Sequence, residues 1–290
     1  MRFSLSLLLL LSSLSSFELR YGRGDFDMDM KMSGFMKCSQ KLDIETISLV
    51  NTHDNIARSR FYIFYDIDIY RSDYVDSKID MVEDMISMPT SLMPEVLSDR
   101  MRDFVPIPSD IRVGGIDMNI GGGFDILESD EGYLGVGLST GISAPYIHMK
   151  NGSRLIAPII GAMRATDTTM TSWKSSLTLQ GEYRLFDRFS ISGSALYGYQ
   201  FAQMENGWIK SEIDMEGVVT ALDIALRYSL GDLAEWTDGI TLSMGVSSKS
   251  WDSDSVEVKL MDSLFEKEMS STMDMAFDTV NYYMGIGYRF

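Results

Sequence analysis

The sequence contains one cysteine, two histidines, six prolines and a shortage of basic charge. A lone Cys38 can form neither an intrachain disulfide nor a multi-cysteine metal site, and it is expected to be a small packing residue. With 25 Lys and Arg against 42 Asp and Glu, the formal net charge is −17. That balance argues against nucleic-acid binding, because a phosphate backbone is held by concentrated cations. No Walker loop, zinc-ligand spacing or dinucleotide fingerprint occurs, so no cofactor is expected. Asp252 and Asp254 lack the full oxygen set that calcium needs, so no metal is expected either.

Long hydrophobic runs are also missing. The one short run, Leu5 to Leu11, follows Arg2 and precedes Ser12, Ser13, Ser15 and Ser16, which is the pattern of a secretory signal peptide over residues 1–16. It falls well short of the roughly 20 apolar residues that cross a bilayer as a helix. An exported chain without such a helix is either soluble or a closed barrel, since lipid tolerates no unpaired backbone.

What is present is alternation. Phe26, Met28, Met30 and Met32 alternate with Asp25, Asp27, Asp29 and Lys31. Phe61, Ile63, Tyr65, Ile67 and Ile69 stand opposite Asp66 and Asp68, and Ile116, Met118 and Ile120 opposite Asp117 and Asn119, with Asp125 further on. Trp173, Leu177, Leu179, Tyr183 and Leu185 oppose Lys174, Glu182 and Arg184, while Leu222, Ile224, Leu226 and Tyr228 oppose Asp223 and Arg227. Period two over segments of ten residues or more is what a strand requires when one face meets lipid and the other a polar interior. The pattern predicts an all-β, transmembrane, antiparallel up-and-down barrel occupying residues 17–290, with about ten strands. These run roughly over 19–37, 42–53, 60–71, 112–126, 132–143, 173–186, 188–202, 217–230, 238–249 and 280–290. Twelve strands are possible if Leu155–Ala165, or Val256–Leu260 with a partner, adds a hairpin. Between Thr46 and Ile47 the phase slips, which points to a bulge. Aromatic residues near strand ends, among them Trp173, Phe186, Phe189, Phe201, Trp208, Trp236 and Tyr282, suit interfacial girdles.

The segment 72–110 differs in period. Ile79, Val82, Met85 and Ile86, then Val96, Leu97, Met101 and Phe104, recur at helical spacing, and Pro106 and Pro108 stop the pattern. A short helical insert in one long extracellular loop is expected, as a cap on the rim or a plug.

In the last strand Val280, Tyr282, Met284, Ile286, Tyr288 and Phe290 form one apolar face. A terminal Phe, an aromatic two residues before it and alternating apolar residues upstream resemble the C-terminal signature of bacterial outer-membrane β-barrel proteins. The resemblance implies an outer-membrane location in a diderm bacterium and contact with outer-membrane lipids and lipopolysaccharide. It also implies recognition of Ile286, Tyr288 and Phe290 by the barrel-assembly machinery. With Phe290 periplasmic, short connections fall on the periplasmic side and long ones outside, the usual asymmetry of such barrels.

An enzyme is not expected. His148 is followed by Met149 and Lys150, without the serine two residues on that outer-membrane phospholipases and lipid A deacylases carry, and His53 falls at the periplasmic end. On this strand assignment Asp25, Asp27, Asp29, Lys31, Asp66, Asp68, Asp117, Asp125, Glu182, Arg184, Asp223 and Arg227 line the lumen. Excess carboxylates would favour cations if water passes. The expected protein is therefore a monomeric, porin-like barrel with a narrow acid-lined lumen, or a structural wall protein. A surface adhesin or receptor acting through long loops is the alternative.

Overall fold

The computed structural model describes residues 16–32, 36–53, 60–79, 107–127, 129, 131–150, 167–206, 211–231, 237–260 and 273–289. Residues 1–15, Phe290 and most of 72–110 lie outside them. Eleven strands account for nearly all of it: β1 (Ser16–Met32), β2 (Met36–His53), β3 (Phe61–Ser72), β4 (Val75–Ile79), β5 (Ile107–Asp125), β6 (Gly132–Lys150), β7 (Asp167–Phe186), β8 (Phe189–Asn206), β9 (Ser211–Ser229), β10 (Ile240–Leu260) and β11 (Met273–Arg289). Neighbours in sequence pair antiparallel, β1 pairs with β11, and β3 pairs with β5, so the sheet closes. β4 continues β3 along the same edge of β5. The wall is therefore a ten-stranded up-and-down barrel, with β3 and β4 sharing one position.

Two expectations change here. Ile79, read as the start of a helix, ends a strand opposite Ile107, while Val82 to Phe104 lie outside the described residues. Val256–Leu260 extends β10 alongside β9 and founds no extra hairpin; Leu155–Ala165 lies outside the described residues. β10 reaches 21 residues by way of an irregularity between Ser253 and Ser255. At roughly 3.3 Å per residue and a tilt of about 40°, it rises roughly 50 Å, about 20 Å more than a bilayer core.

The outer surface shows where the bilayer lies. Large apolar side chains stand exposed on nearly every strand, among them Leu19, Ile47, Ile63, Ile120, Leu138, Leu177, Tyr197, Leu222, Met244 and Met284. A soluble protein does not leave so continuous an apolar surface in water. Trp173 and Phe186 mark its two edges on β7. They are 13 residues apart (186 − 173), a rise of roughly 30 Å. Trp208 and Trp236 lie outside the described residues. Replacing Leu177, 60% exposed within this band, with Arg should lower unfolding free energy in lipid vesicles by about 2–4 kcal/mol. A loss below about 1 kcal/mol would place Leu177 outside the hydrocarbon.

Extracellular to the band the faces exchange character. On β1, Leu19 and Tyr21 point to lipid, yet Phe26 and Met28 are buried inside the barrel at 2% and 1% exposure. Asp25, Asp27 and Asp29 therefore point outward, correcting their expected place in the lumen. Asp25 and Asp27 lie within 3.0 and 3.9 Å of Lys41 Nζ on the outer surface. The side chain of Lys31 is outside the described residues. On β2, Leu42 and Ile44 point inward and Ile47 outward, while pairing with both neighbours continues unbroken. No bulge causes the apparent slip between Thr46 and Ile47; the apolar face moves from lumen to lipid. The cause is the surroundings. Above the bilayer the outer wall meets water and takes charge, and the lumen there holds an apolar core that includes Phe26, Met28, Leu42, Ile44, Ile111, Val113, Ile147, Met170, Met215, Trp251, Met275 and Phe277.

Candidate functional site

The lumen below that core is layered. Near the periplasmic end, the inward alternation of β1 places Glu18 and Arg20 on the wall facing β7 and β9. Arg20 Nε donates to Glu18 Oε1 at 2.6 Å and Nη1 to Asp223 Oδ2 at 2.9 Å. Arg227 donates to Glu18 Oε2 and Glu182 Oε2, each at 2.6 Å. Tyr283 Oη donates to the Asp223 carboxylate at 3.0 Å while its ring lies 4.3 Å beneath the Arg20 guanidinium. Ser243 donates to Glu18 Oε1, the oxygen that also accepts from Arg20, and Ser190 donates to the remaining oxygen of Glu182. Each guanidinium thus spans two carboxylates, the fork geometry that makes Arg suited to buried pairing.

A second layer sits at mid-height. Lys249 donates to Asp117 Oδ2 at 2.9 Å and also to Asp68. Lys174 donates to the other oxygen of Asp117, and Asn119 donates to Asp66 Oδ1 at 2.8 Å. Lys249 on β10 reaches across the barrel to Asp68 on β3 and Asp117 on β5, whereas Asn119 and Asp66 are paired neighbours on one wall. Removing charges from water costs several kcal/mol per ion, and only full pairing recovers it. Here each described ammonium in the layer has a carboxylate, which neutralises most of the acid that the alternation placed inside.

Between the layers is a polar chamber of about 100 Å³. Around it Asn119 Oδ1, Thr178 Oγ1, Gln180 Oε1 and Ser192 Oγ are buried without hydrogen-bond partners. A space of this size and polarity accommodates ordered water. Below the lower layer opens a periplasmic vestibule of about 480 Å³, lined by Arg60, Arg184, Arg188 and Arg289 together with Asp125, Glu131 and Glu182.

Among the residues expected in the lumen, Asp66, Asp68 and Asp117 meet in the middle layer, and Glu182, Asp223 and Arg227 in the lower one. Arg184 faces the vestibule and is largely exposed, so it joins neither layer. Asp125 accepts from the backbone N–H of Leu127 and Leu134 and ties the turn after β5. The sequence reading omits Glu18, which precedes the predicted strand 19–37, Arg20 within that strand, and Lys249, the last residue of the predicted strand 238–249. The signal was available for all three: Glu18 and Arg20 alternate with Leu19 and Tyr21, and Lys249 continues the inward phase of Ser243 and Ser247. The lumen's basic charge was undercounted as a result. His148 follows the inward Ile147 and stands on the outer face near the extracellular end, its ring 6.0 Å from Tyr74.

No protein-family model and no curated protein matches the sequence. Solved structures do. The outer membrane protease OmpT from Escherichia coli superposes over 95% of this chain and 97% of its own, with a TM-score of 0.56 and 8% identity. The fold is that of a bacterial outer-membrane β-barrel. The outer membrane protein OprG from Pseudomonas aeruginosa covers 96% of each chain at 12% identity with a TM-score of 0.37. Neisserial surface protein A covers 94% of this chain and 97% of its own at 9% identity with a TM-score of 0.31. At these identities the likeness to OmpT is one of architecture, and what the barrel does must be argued from its own lumen.

Proposed function

We propose that this outer-membrane barrel is closed to ion flow and works by binding at its extracellular half, not as an open diffusion pore. The observation that carries this reading is the stacking of three obstructions along one axis: two cross-lumen ion-paired layers and an apolar core above them. A ten-stranded barrel stands between eight-stranded ones, which side chains fill, and porins of sixteen or more, which hold a channel. In this chain the side chains are large enough, and paired well enough, to fill it. An acid-lined cation pathway is disfavoured because Asp68, Asp117, Glu182 and Asp223 each meet a cation already. Strands rising roughly 20 Å above the bilayer give the extracellular half a rigid wall on which recognition can be built.

Refolded protein in planar bilayers is expected to show no steady current at moderate voltage. Stable openings with a linear current–voltage relation would sink the closed reading and restore the pore. The paired variant Asp117→Ala with Lys249→Ala, which removes one layer's cross-lumen contact, should leave the barrel non-conducting because the lower layer and the apolar core remain.

A further inference from the structure

Methionine is unevenly placed in this chain, which holds 22 of them and a single cysteine. Among the large apolar side chains that the described residues expose, only Met118, Met244 and Met284 are methionine. Inside, above the bilayer, Met28, Met170, Met215 and Met275 are buried in one cluster. The register adds more sulfur at the same end. Met30 on β1 stands directly opposite Met275 on β11 and Cys38 on β2. One row further out, Met32 stands opposite Met273 and Met36. These positions keep the phase of Met28, Leu42, Ile44 and Phe277, all of which are buried inside the barrel. Directly opposed residues lie about 5 Å apart and neighbouring rows about 7 Å, so the two rows cover a patch of roughly 10 by 7 Å on three adjacent strands. Elsewhere the lipid face and the core are filled mainly by Leu, Ile, Val and aromatic residues. Apolarity alone therefore does not call for sulfur at every position of both rows.

We infer that this patch, at the extracellular end of β1, β2 and β11, binds one soft monovalent metal ion of the Cu(I) class through methionine sulfur, with Met30 and Met275 at its centre. The class follows from the ligand atoms. Thioether and thiolate sulfur select Cu(I), whereas calcium and magnesium take oxygen. A thioether is neutral and loses no proton on binding, and a single positive charge costs less to bury than a double one. Methionine is unbranched with three rotatable bonds, so sulfurs from adjacent strands can turn toward one ion. On the opposite, water-facing side of the same strands Asp29, Asp43, Asp274 and Asp278 are exposed, which draws cations to this end of the barrel. The lack of a zinc or calcium pattern in the sequence does not bear on such a site, because those patterns count no methionine. This inference rests on the reading that the barrel binds at its extracellular half and names a ligand class for it.

Ag(I) is the probe, because it matches Cu(I) in charge and ligand preference and needs no reductant. The whole refolded protein in micelles, carrying carbon-13 in its methionine methyl groups, is titrated with silver nitrate in chloride-free buffer. The background is Cys38→Ala, so that a lone thiol cannot account for binding. Saturable shifts of a few methionine methyl signals are expected at one ion per chain, and calcium should move none of them. By calorimetry Met30→Leu with Met275→Leu, which conserves volume, should weaken silver binding by at least about 10-fold, the least that losing even a partner behind a metal ligand usually costs. Met118→Leu with Met244→Leu, on the lipid face, should leave it unchanged. If the first pair does not refold, Met32→Leu with Met273→Leu tests the adjoining row by the same measure. No saturable shift in the Cys38→Ala background, equal shifts with calcium, or an affinity that the inner pair leaves unchanged overturns the site and leaves methionine there as packing. The two proposals fail separately. A protein that conducts but still binds silver through Met30 and Met275 refutes only the closed barrel, and a non-conducting protein that ignores silver refutes only the metal site.

Discussion

Replacing Asp117 with Ala should destabilise the barrel by about 3–5 kcal/mol, measured by urea unfolding in lipid vesicles. Asp117 is 7% exposed and is shared by two ammonium groups, Lys174 from β7 and Lys249 from β10. Removing it leaves Lys174, 3% exposed at its side chain, buried without its carboxylate, whereas Lys249 keeps Asp68. The penalty is that of an uncompensated charge and not of a lost contact. Removing both halves of the pair should therefore recover most of the loss. The double variant Asp117→Leu with Lys174→Met is expected to return to within about 1–2 kcal/mol of the unmodified protein, because buried pairs are often replaceable by apolar groups of similar volume. A single variant that unfolds like the parent would mean that water reaches the layer, and the lumen would not be closed there.

Phe26→Ala should cost about 3–5 kcal/mol, while Asp27→Ala should stay within about 0.5 kcal/mol of the parent. Phe26 is 2% exposed and packs on Tyr70 and Phe277 inside the barrel, with centroids 5.9 and 5.7 Å away. Asp27 is on the water-facing outer wall, loosely paired with Lys41 at 3.9 Å, a separation that contributes little at a surface. The strand read on its own gives the opposite order, with Phe26 in lipid and Asp27 facing a partner across the lumen. Comparing the two variants therefore tests the exchange of faces at the bilayer boundary. Equal losses, or a larger loss at Asp27, would refute it.

That exchange explains which parts of the molecule could be read in advance. Within the bilayer band the alternation located the lipid face of β3 and of β5 through β11, and with it the inward Asp66, Asp68, Asp117, Glu182, Asp223 and Arg227. Above the band the same alternation misled, since an apolar residue there points inward. The switch leaves a trace in sequence. Apolar residues an odd three positions apart recur at one height: Ile44 and Ile47, Val113 and Ile116, Met170 and Trp173, Val219 and Leu222, Phe277 and Val280. Taken singly, the first of these looked like a bulge. Taken together they trace a ring around the barrel where the water-facing wall begins.

The sequence by itself determined that this chain makes long antiparallel strands with two unlike faces, about ten of them, and that it holds no apolar run long enough to cross a membrane as a helix. It could not say which face is the inner one. Lipid and a packed core both select apolar side chains, and water and a polar lumen both select charge, so period two is unchanged when inside and outside are swapped. Only the closed barrel decides. Closure brings Lys249 across to Asp68 and Asp117, Arg20 to Asp223, and Phe26 onto Phe277, contacts between strands far apart in the chain. From those contacts come the ion-paired layers of the lumen and the apolar core around Trp251 and Phe277, neither of which any single strand contains.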